Sequence, residues 1–173
     1  FRSYNIQDFG GTLIVKPPIF QLRQDKKLKE HSIAFITKDS KTAYFSSYGD
    51  KVDNKRDLYK SEKDKYGNWG KPVKLSNVIN TPYDEDYPFM LPDGKTLYFS
   101  SKGHNSMGGY DVFRTTWDSI ANDWTTPVNL DFAINTPFDD IMFVTDKEEQ
   151  FAYFSSNRNS ALLHTNVFKV RID

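Results

Sequence analysis

The sequence predicts an all-β chain of tandem four-stranded antiparallel blades, the unit of a β-propeller, on three observations. Tyr98-Phe99-Ser100-Ser101 is preceded 54 residues earlier by Tyr44-Phe45-Ser46-Ser47 and followed 55 residues later by Tyr153-Phe154-Ser155-Ser156. Other landmarks keep the same interval: Trp69 and Trp124, Pro72-Val73 and Pro127-Val128, Asn80-Thr81-Pro82-Tyr83-Asp84 and Asn135-Thr136-Pro137-Phe138-Asp139, and the set Asp57-Leu58-Tyr59, Asp111-Val112-Phe113 and Asn166-Val167-Phe168. Each interval holds four strand-like runs and no amphipathic helix. Among repeat architectures, four strands at this period mean a propeller blade rather than a helical solenoid.

The most complete copy, residues 85–139, justifies the strands in order. Tyr87-Pro88-Phe89-Met90-Leu91 is an apolar run of buried-strand length, and Pro92-Asp93-Gly94-Lys95 is a tight-turn signal. Thr96-Leu97-Tyr98-Phe99-Ser100 is β-branched and aromatic, suited to a pleated surface. The Gly- and Asn-rich loop Lys102 to Gly109 leads into Tyr110 to Thr116, whose alternation is less clean, and Trp124 to Leu130 supplies the fourth strand. The first hairpin is Lys38 to Lys41 in the upstream copy and Asp146 to Gln150 downstream, so the extra residue falls in a turn, where length changes little in closure entropy.

The predicted boundaries are a non-repeat segment 1–31, then blades at 32–84, 85–139 and 140–173. In the first segment, Thr12 to Val15 reads as a strand stopped by Pro17-Pro18 and is expected to act as a latch, completing the last blade beside Val167 to Ile172. Gln21 to Glu30 reads as a solvated linker or short helix. The third copy lacks a Trp-x-x-Pro-Val strand, and fewer than three blades do not make a ring, so other blades or subunits are expected to complete the propeller.

Composition narrows function. Lys+Arg and Asp+Glu are each 23, so no net field favours nucleic acid or an anionic membrane. There are no cysteines, which excludes disulfides and thiolate metal sites. No run has the length of a membrane-spanning helix or reads as a signal peptide. The chain begins at Phe1 rather than Met, and whether a leader precedes it stays open.

If the strands run from the inside of each blade outward, the loop before the first strand and the loop between the second and third share one rim. That rim gathers Tyr83, Asp84, Glu85, Asp86, His104, Asn105, Met107, Asp139, Asp140 and Arg158, and loops on a rigid scaffold are where binding concentrates. Asp84-Glu85-Asp86 can be read as oxygen ligands for a hard cation or as carboxylates for glycoside cleavage, but such residues more often cap turns. No metal, cofactor or catalytic residue is therefore assigned. Asp57 and Asp111 are expected to bond the adjacent loops. Ser46, Ser100 and Ser155 are expected to be repeat-wide hydrogen bonders, because the three histidines, His31, His104 and His164, sit at unrelated phases and give no serine a base. Trp69 and Trp124 are expected to pack the blades.

The motifs Trp124-x-x-Pro127-Val128-Asn129-Leu130, Ile134-Asn135-Thr136-Pro137, Pro92-Asp93-Gly94-Lys95-Thr96-Leu97-Tyr98-Phe99-Ser100-Ser101 and Gly103 to Phe113 resemble the WD-like, TolB-type propeller repeats of bacterial envelope proteins. They are most similar to versions found in Bacteroidetes, often beside OmpA-like peptidoglycan-binding domains and in some cases in the type IX secretion apparatus. The resemblance covers residues 32–173 and weakens in the third copy, where Asn157 to Thr165 has lost the Gly-Gly and Asn166 replaces Asp. It implies a noncatalytic scaffold or binding module of the periplasm, associated with the outer membrane, with an envelope protein, peptide or glycan as partner. It implies no reaction; that no nucleic acid and no membrane insertion are expected follows from the charge balance and the lack of a spanning run. The alternative is the propeller part of a hydrolase, either a glycosidase or the gating domain of a serine peptidase. The Gly-x-Ser-x-Gly elbow of the latter is absent.

Overall fold

The computed structural model of the protein describes residues 9–51, 55–146, 148–158, 160 and 164–172. Three antiparallel sheets follow one another along the chain. The first holds β1 (Gly11–Val15), β2 (Ile33–Thr37), β3 (Thr42–Ser47), β4 (Asp57–Glu62) and β5 (Val73–Lys74), neighbours in that order. The second holds β6 (Glu85–Met90), β7 (Thr96–Ser101), β8 (Asp111–Asp118) and β10 (Val128–Asn129), with β9 (Asp123–Trp124) also on β8. The third holds β11 (Asp140–Thr145), β12 (Phe151–Ser156) and β13 (Asn166–Arg171). The fold is all-β, and none of the sheets closes on itself. Among the described residues no helix is long and apolar enough to cross a membrane.

The repeat is a structural repeat, because equivalent residues pair identically. Tyr44 faces Lys60, Tyr98 faces Arg114 and Tyr153 faces Lys169, and Phe45–Tyr59, Phe99–Phe113 and Phe154–Phe168 are the next pairs along. With side chains alternating across each strand, the two rings of every Tyr-Phe step go to opposite faces. Tyr98 reaches the following sheet, its ring 4.7 Å from Phe143, and Phe35 meets Phe89 at 5.2 Å between the first and second sheets. One continuous core results, running through all three sheets.

Two backbone devices recur. The register of β6 slips between Asp86 and Phe89, and that of β11 between Ile141 and Val144, with Tyr87 (φ 53°) and Met142 (φ 58°) left-handed at the slip. These are β-bulges, and Pro88 is tolerated in β6 because it sits at one. Each hairpin is closed by an aspartate that accepts backbone N–H groups: Asp39 from Lys41, Asp93 from Lys95 and Thr96, and Asp146 from Gln150 and Phe151. That local bond lets Asp begin a turn.

Two expectations are corrected. The predicted latch, Thr12 to Val15, is part of β1, which pairs with β2 (Thr12 opposite Ile36, Leu13 opposite Phe35) in the first sheet rather than with the last. Its β-branched run finds the nearest open strand edge, and Gly11 permits the approach, since a Cβ there would lie 2.3 Å from the Phe35 ring. The fourth strand of the first two copies, β5 and β10, is only two residues long; beyond it the segment holds the edge by isolated bonds, Leu75 N–H to Leu58 and Leu130 N–H to Val112. Of the two readings of 21–30, solvated linker or short helix, the helix holds: α1 (Arg23–Leu28), with Asp25 fully buried.

The turn before α1 covers the outer face of the first sheet. Phe20 is fully buried, stacked on Phe45 at 4.8 Å and edge-on to Trp69 at 5.0 Å. Burying one such ring stabilises the fold by about 2–3 kcal/mol.

Candidate functional site

The loops at one end of the strands are tied together by repeated clasps. The Asp84 carboxylate accepts the Arg56 N–H at 2.9 Å, and the next residue, Glu85, donates its own N–H to the Arg56 carbonyl at 2.9 Å. One repeat later, Asp139 accepts the Tyr110 N–H at 2.9 Å and the Asp140 N–H donates to the Tyr110 carbonyl at 2.6 Å. Each clasp joins the residue before β4 or β8 to the start of the first strand of the next sheet, β6 or β11. The four loop segments around 80–86, 102–110, 135–140 and 157–158 therefore lie together at one end, and the hairpin at Asp93 lies at the other end of β7. A six-residue strand separates these ends by roughly 17–20 Å.

Behind each clasp sits a buried carboxylate. Glu85 accepts the Thr81 N–H (2.9 Å), the Thr81 hydroxyl (2.6 Å) and the Ser101 hydroxyl (2.8 Å). Asp140 accepts the Thr136 N–H and hydroxyl (both 2.7 Å) and Arg158 (2.5 Å). In the first sheet Asp25 takes this seat from α1, accepting the Ser47 hydroxyl (2.7 Å), the Tyr48 N–H (2.9 Å) and Lys16 (3.0 Å). Ser47 and Ser101 thus donate to the buried carboxylate, whereas Ser156 accepts the Arg158 Nε–H at 2.9 Å, and all three oxygens accept a backbone N–H two residues on, from Gly49, Gly103 or Arg158. The first serines are not uniform hydrogen bonders as expected: Ser46 donates to Asp86 at 2.6 Å, but the buried Ser100 hydroxyl has no partner among the described residues.

Electrostatics differ between the seats. Burial pushes Glu85 above the usual carboxylate value despite its hydrogen bonds. Burial acts the same way on Asp25, but the Ser47 and Tyr48 bonds and the Lys16 charge outweigh it and leave the group lowered. Asp111 is raised by burial while accepting the Met107 N–H (2.7 Å) and an Asn129 amide N–H (3.0 Å); Asp57 pairs with Lys74 at 2.6 Å. Both hold adjacent segments, as the sequence suggests.

Taken residue by residue, the ten rim candidates divide. Glu85, Asp86 and Asp140 are fully buried, so they brace the loops rather than face a partner. Asp86 is bonded to Ser46, the Tyr87 N–H and Arg56. Asp84 and Asp86 thus both bond Arg56, at its backbone N–H and its guanidinium, while Glu85 turns to Thr81 and Ser101, and among the described residues no group of three His, Asp or Glu side chains is placed to hold a metal. Asp84 and Asp139 carry the clasps, Asp84 also pairing with Lys102 at 3.1 Å.

His104 and Arg158 prove to be equivalents. The His104 Nε2 donates to the Ile79 carbonyl at 2.9 Å with its ring against Phe99 and Phe113, and burial lowers its pKa. Arg158 donates to the Ile134 carbonyl with its guanidinium over Phe154 and Phe168. Both take the same place in the repeat, Arg158 half-buried and His104 exposed.

Tyr83 and Asn105 are exposed and Met107 half-exposed. Sequence reasoning missed Phe138, the repeat equivalent of Tyr83; the rings are 61% (Tyr83) and 52% (Phe138) exposed. The matched Asn-Thr-Pro-aromatic-Asp motif was the signal that could have found it. Beside Tyr83's loop lies an open cleft of about 480 Å³ lined by Lys55, Asn77, Thr81, Pro82 and His104. A cleft of about 510 Å³ lies toward the hairpin end, among Tyr44, Glu62, Trp117 and Trp124, and contains none of the rim candidates. Comparison of the sequence with protein-family models gives no match, and comparison with curated proteins gives none.

Proposed function

We propose that the chain is a noncatalytic binding and scaffold module, built as part of a propeller of four-stranded blades, whose loop rim holds a protein or peptide partner or a glycan. The observation that carries this reading is the pair Tyr83 and Phe138. Two large aromatic rings stand exposed at equivalent positions, on loops whose acids are bonded to the fold. Rigid aromatic anchors on a braced surface suit recognition, because they add contact area at little cost in conformational entropy. Carboxylates committed to backbone N–H groups and hydroxyls are poorly placed for acid–base work, which disfavours the hydrolase alternative. The setting in the bacterial envelope, periplasmic and associated with the outer membrane, rests on the resemblance of the repeat motifs to TolB-type propellers, as does a place in a secretion or anchoring assembly.

Site-directed photo-crosslinking in envelope preparations tests the reading. A crosslinker at position 105 is expected to capture a partner, one at position 95 on the opposite end is not, and Tyr83→Ala with Phe138→Ala is expected to reduce the adduct about tenfold, as loss of two anchors implies. Equal capture from both ends, or a hydrolytic activity on cell-wall glycan abolished by Asp84→Ala and Asp139→Ala, overturns it.

A further inference from the structure

The cleft toward the hairpin end has one wall from each of the first two sheets. On the first sheet, Thr42 stands opposite Glu62 and Tyr44 opposite Lys60, so these four side chains share one face of β3 and β4. On the second, Trp117 of β8 stands opposite Trp124 of β9, the two rings edge-on at 5.4 Å and 77°. An edge-on contact covers one face of one ring. Trp117 stays half-buried, with indole surface open to the cleft.

The next interface is filled differently. Between the second and third sheets the Tyr98 ring, equivalent to Tyr44, is covered by Phe143 at 4.7 Å. One repeat earlier the place of Phe143 is held by Pro88, which has no aromatic ring to lay on Tyr44. The cleft beside Tyr44 measures about 510 Å³, within the roughly 300–1,000 Å³ of small-molecule sites.

Charge narrows the ligand. The lining carries Lys60 and Lys74 against Glu62 and Asp123, two charges of each sign. Lys60 and Glu62 pair with each other at 2.7 Å, and the Lys74 ammonium is held by Asp57 at 2.6 Å. Asp123 accepts the Trp124 N–H at 2.7 Å. An ion of either sign therefore finds its counter-charge already engaged, whereas a neutral ligand rich in hydroxyl groups finds donors and acceptors. Asn122, left-handed at φ 53° and exposed, adds a carboxamide, and Tyr44 adds a phenol whose pKa burial pushes up to about 12.

We propose that this cleft is a binding site for a short neutral oligosaccharide. A pyranose ring is apolar on the faces where its C–H bonds lie and polar at its hydroxyl edge. Such a face suits the Trp117 indole, and the hydroxyl edge suits the Glu62 carboxylate, the Tyr44 phenol and the Asn122 amide. Aromatic walls with a few placed polar groups are the general form of a small-molecule site. The cleft lies away from the rim and does not rest on the function proposed for it.

Intrinsic tryptophan fluorescence of the whole chain is titrated with neutral tetrasaccharides of the cello, malto and chito series. A saturable change with at least one of them is expected. Trp117→Ala is expected to weaken binding about tenfold or more, the scale of losing an aromatic anchor. Asn122→Ala and Tyr44→Phe are each expected to weaken it about threefold to tenfold, the scale of one hydrogen bond. These two leave the indole wall in place, so the proposal stays testable if Trp117→Ala does not fold. Trp69→Phe, beneath Phe20 and outside the cleft, is expected to leave the affinity unchanged. No saturable change with any series, full affinity in both Asn122→Ala and Tyr44→Phe, or tighter binding of a lysine-rich peptide overturns the proposal. A short sugar adds no polypeptide-sized adduct at position 95, so the crosslinking result at the rim is read independently.

Discussion

Val112 and Val167 hold the same place in successive sheets, opposite Ser100 and Ser155, yet one is fully buried and the other 54% exposed. Their own strands do not explain the difference. What covers Val112 is the segment that links its sheet to the next, through Leu130, Ile134 and Asn135. Each sheet is therefore finished by the connection that leaves it, and three strands with the Tyr-Phe-Ser-Ser core make an incomplete unit. Hydrophobic sequence alone does not bury a residue; the neighbour does.

The comparison can be broken most severely at the asparagine. Asn135→Ala strands the buried Val112 N–H and leaves the Val112 carbonyl with the Leu130 N–H as its remaining donor, and is expected to destabilise the protein by about 2–3 kcal/mol in urea unfolding, the cost of stranding a buried polar group and losing a second bond. A loss near zero would mean that the linking segment does not hold the sheet. Val112→Ala against Val167→Ala sharpens the same contrast: about 2 kcal/mol is expected for the first and under about 0.5 for the second. Equal losses would show that the outer edge is covered in solution.

The clasp serine gives a smaller contrast within one strand. Ser101→Ala removes a bond to Glu85 and one from Gly103 and is expected to cost about 1–2 kcal/mol, whereas Ser100→Ala, which deletes a hydroxyl without a partner, is expected to cost nothing or to stabilise. Smallest is a pH effect of opposite sign in two equivalent seats. Asp25 is lowered from its ordinary 3.8, so its contribution is complete above that value and is lost as pH falls through the folded value. Glu85 is raised from its ordinary 4.5, so its contribution is greatest below that value and declines as pH rises through the folded value. Urea midpoints measured from about pH 3 to about pH 7 should lose the first slope in Asp25→Asn and the second in Glu85→Gln. Slopes of the same sign would refute the assignment.

Much of this architecture was legible because a repeat aligns itself: the matched Tyr-Phe-Ser-Ser runs located β3, β7 and β12, and the turn signals located their hairpins. The common rim followed from strand order. The individual rim residues did not, since Asp84-Glu85-Asp86 reads as a solvent-facing acidic run and only the Thr81, Ser101, Ser46 and Arg56 partners reveal which carboxylates are internal. His104 and Arg158 share a seat but not a residue type, so no pattern of letters links them. The partner of β1 was equally hidden, because a lone strand carries the chemistry of pairing but not the identity of its neighbour. The Lys16–Asp25 pair, buried on a segment outside the repeat, gave no periodic signal at all.

Phe20 has a consequence for how such molecules behave in a crowd. By stacking on Phe45 and meeting Trp69, it blocks the sheet face that a neighbouring molecule would need in order to stack head to tail. An open-ended contact between unlike surfaces propagates into fibres unless one surface is removed. With Phe20 seated on Phe45 and Trp69, the first sheet offers no bare aromatic face of that kind.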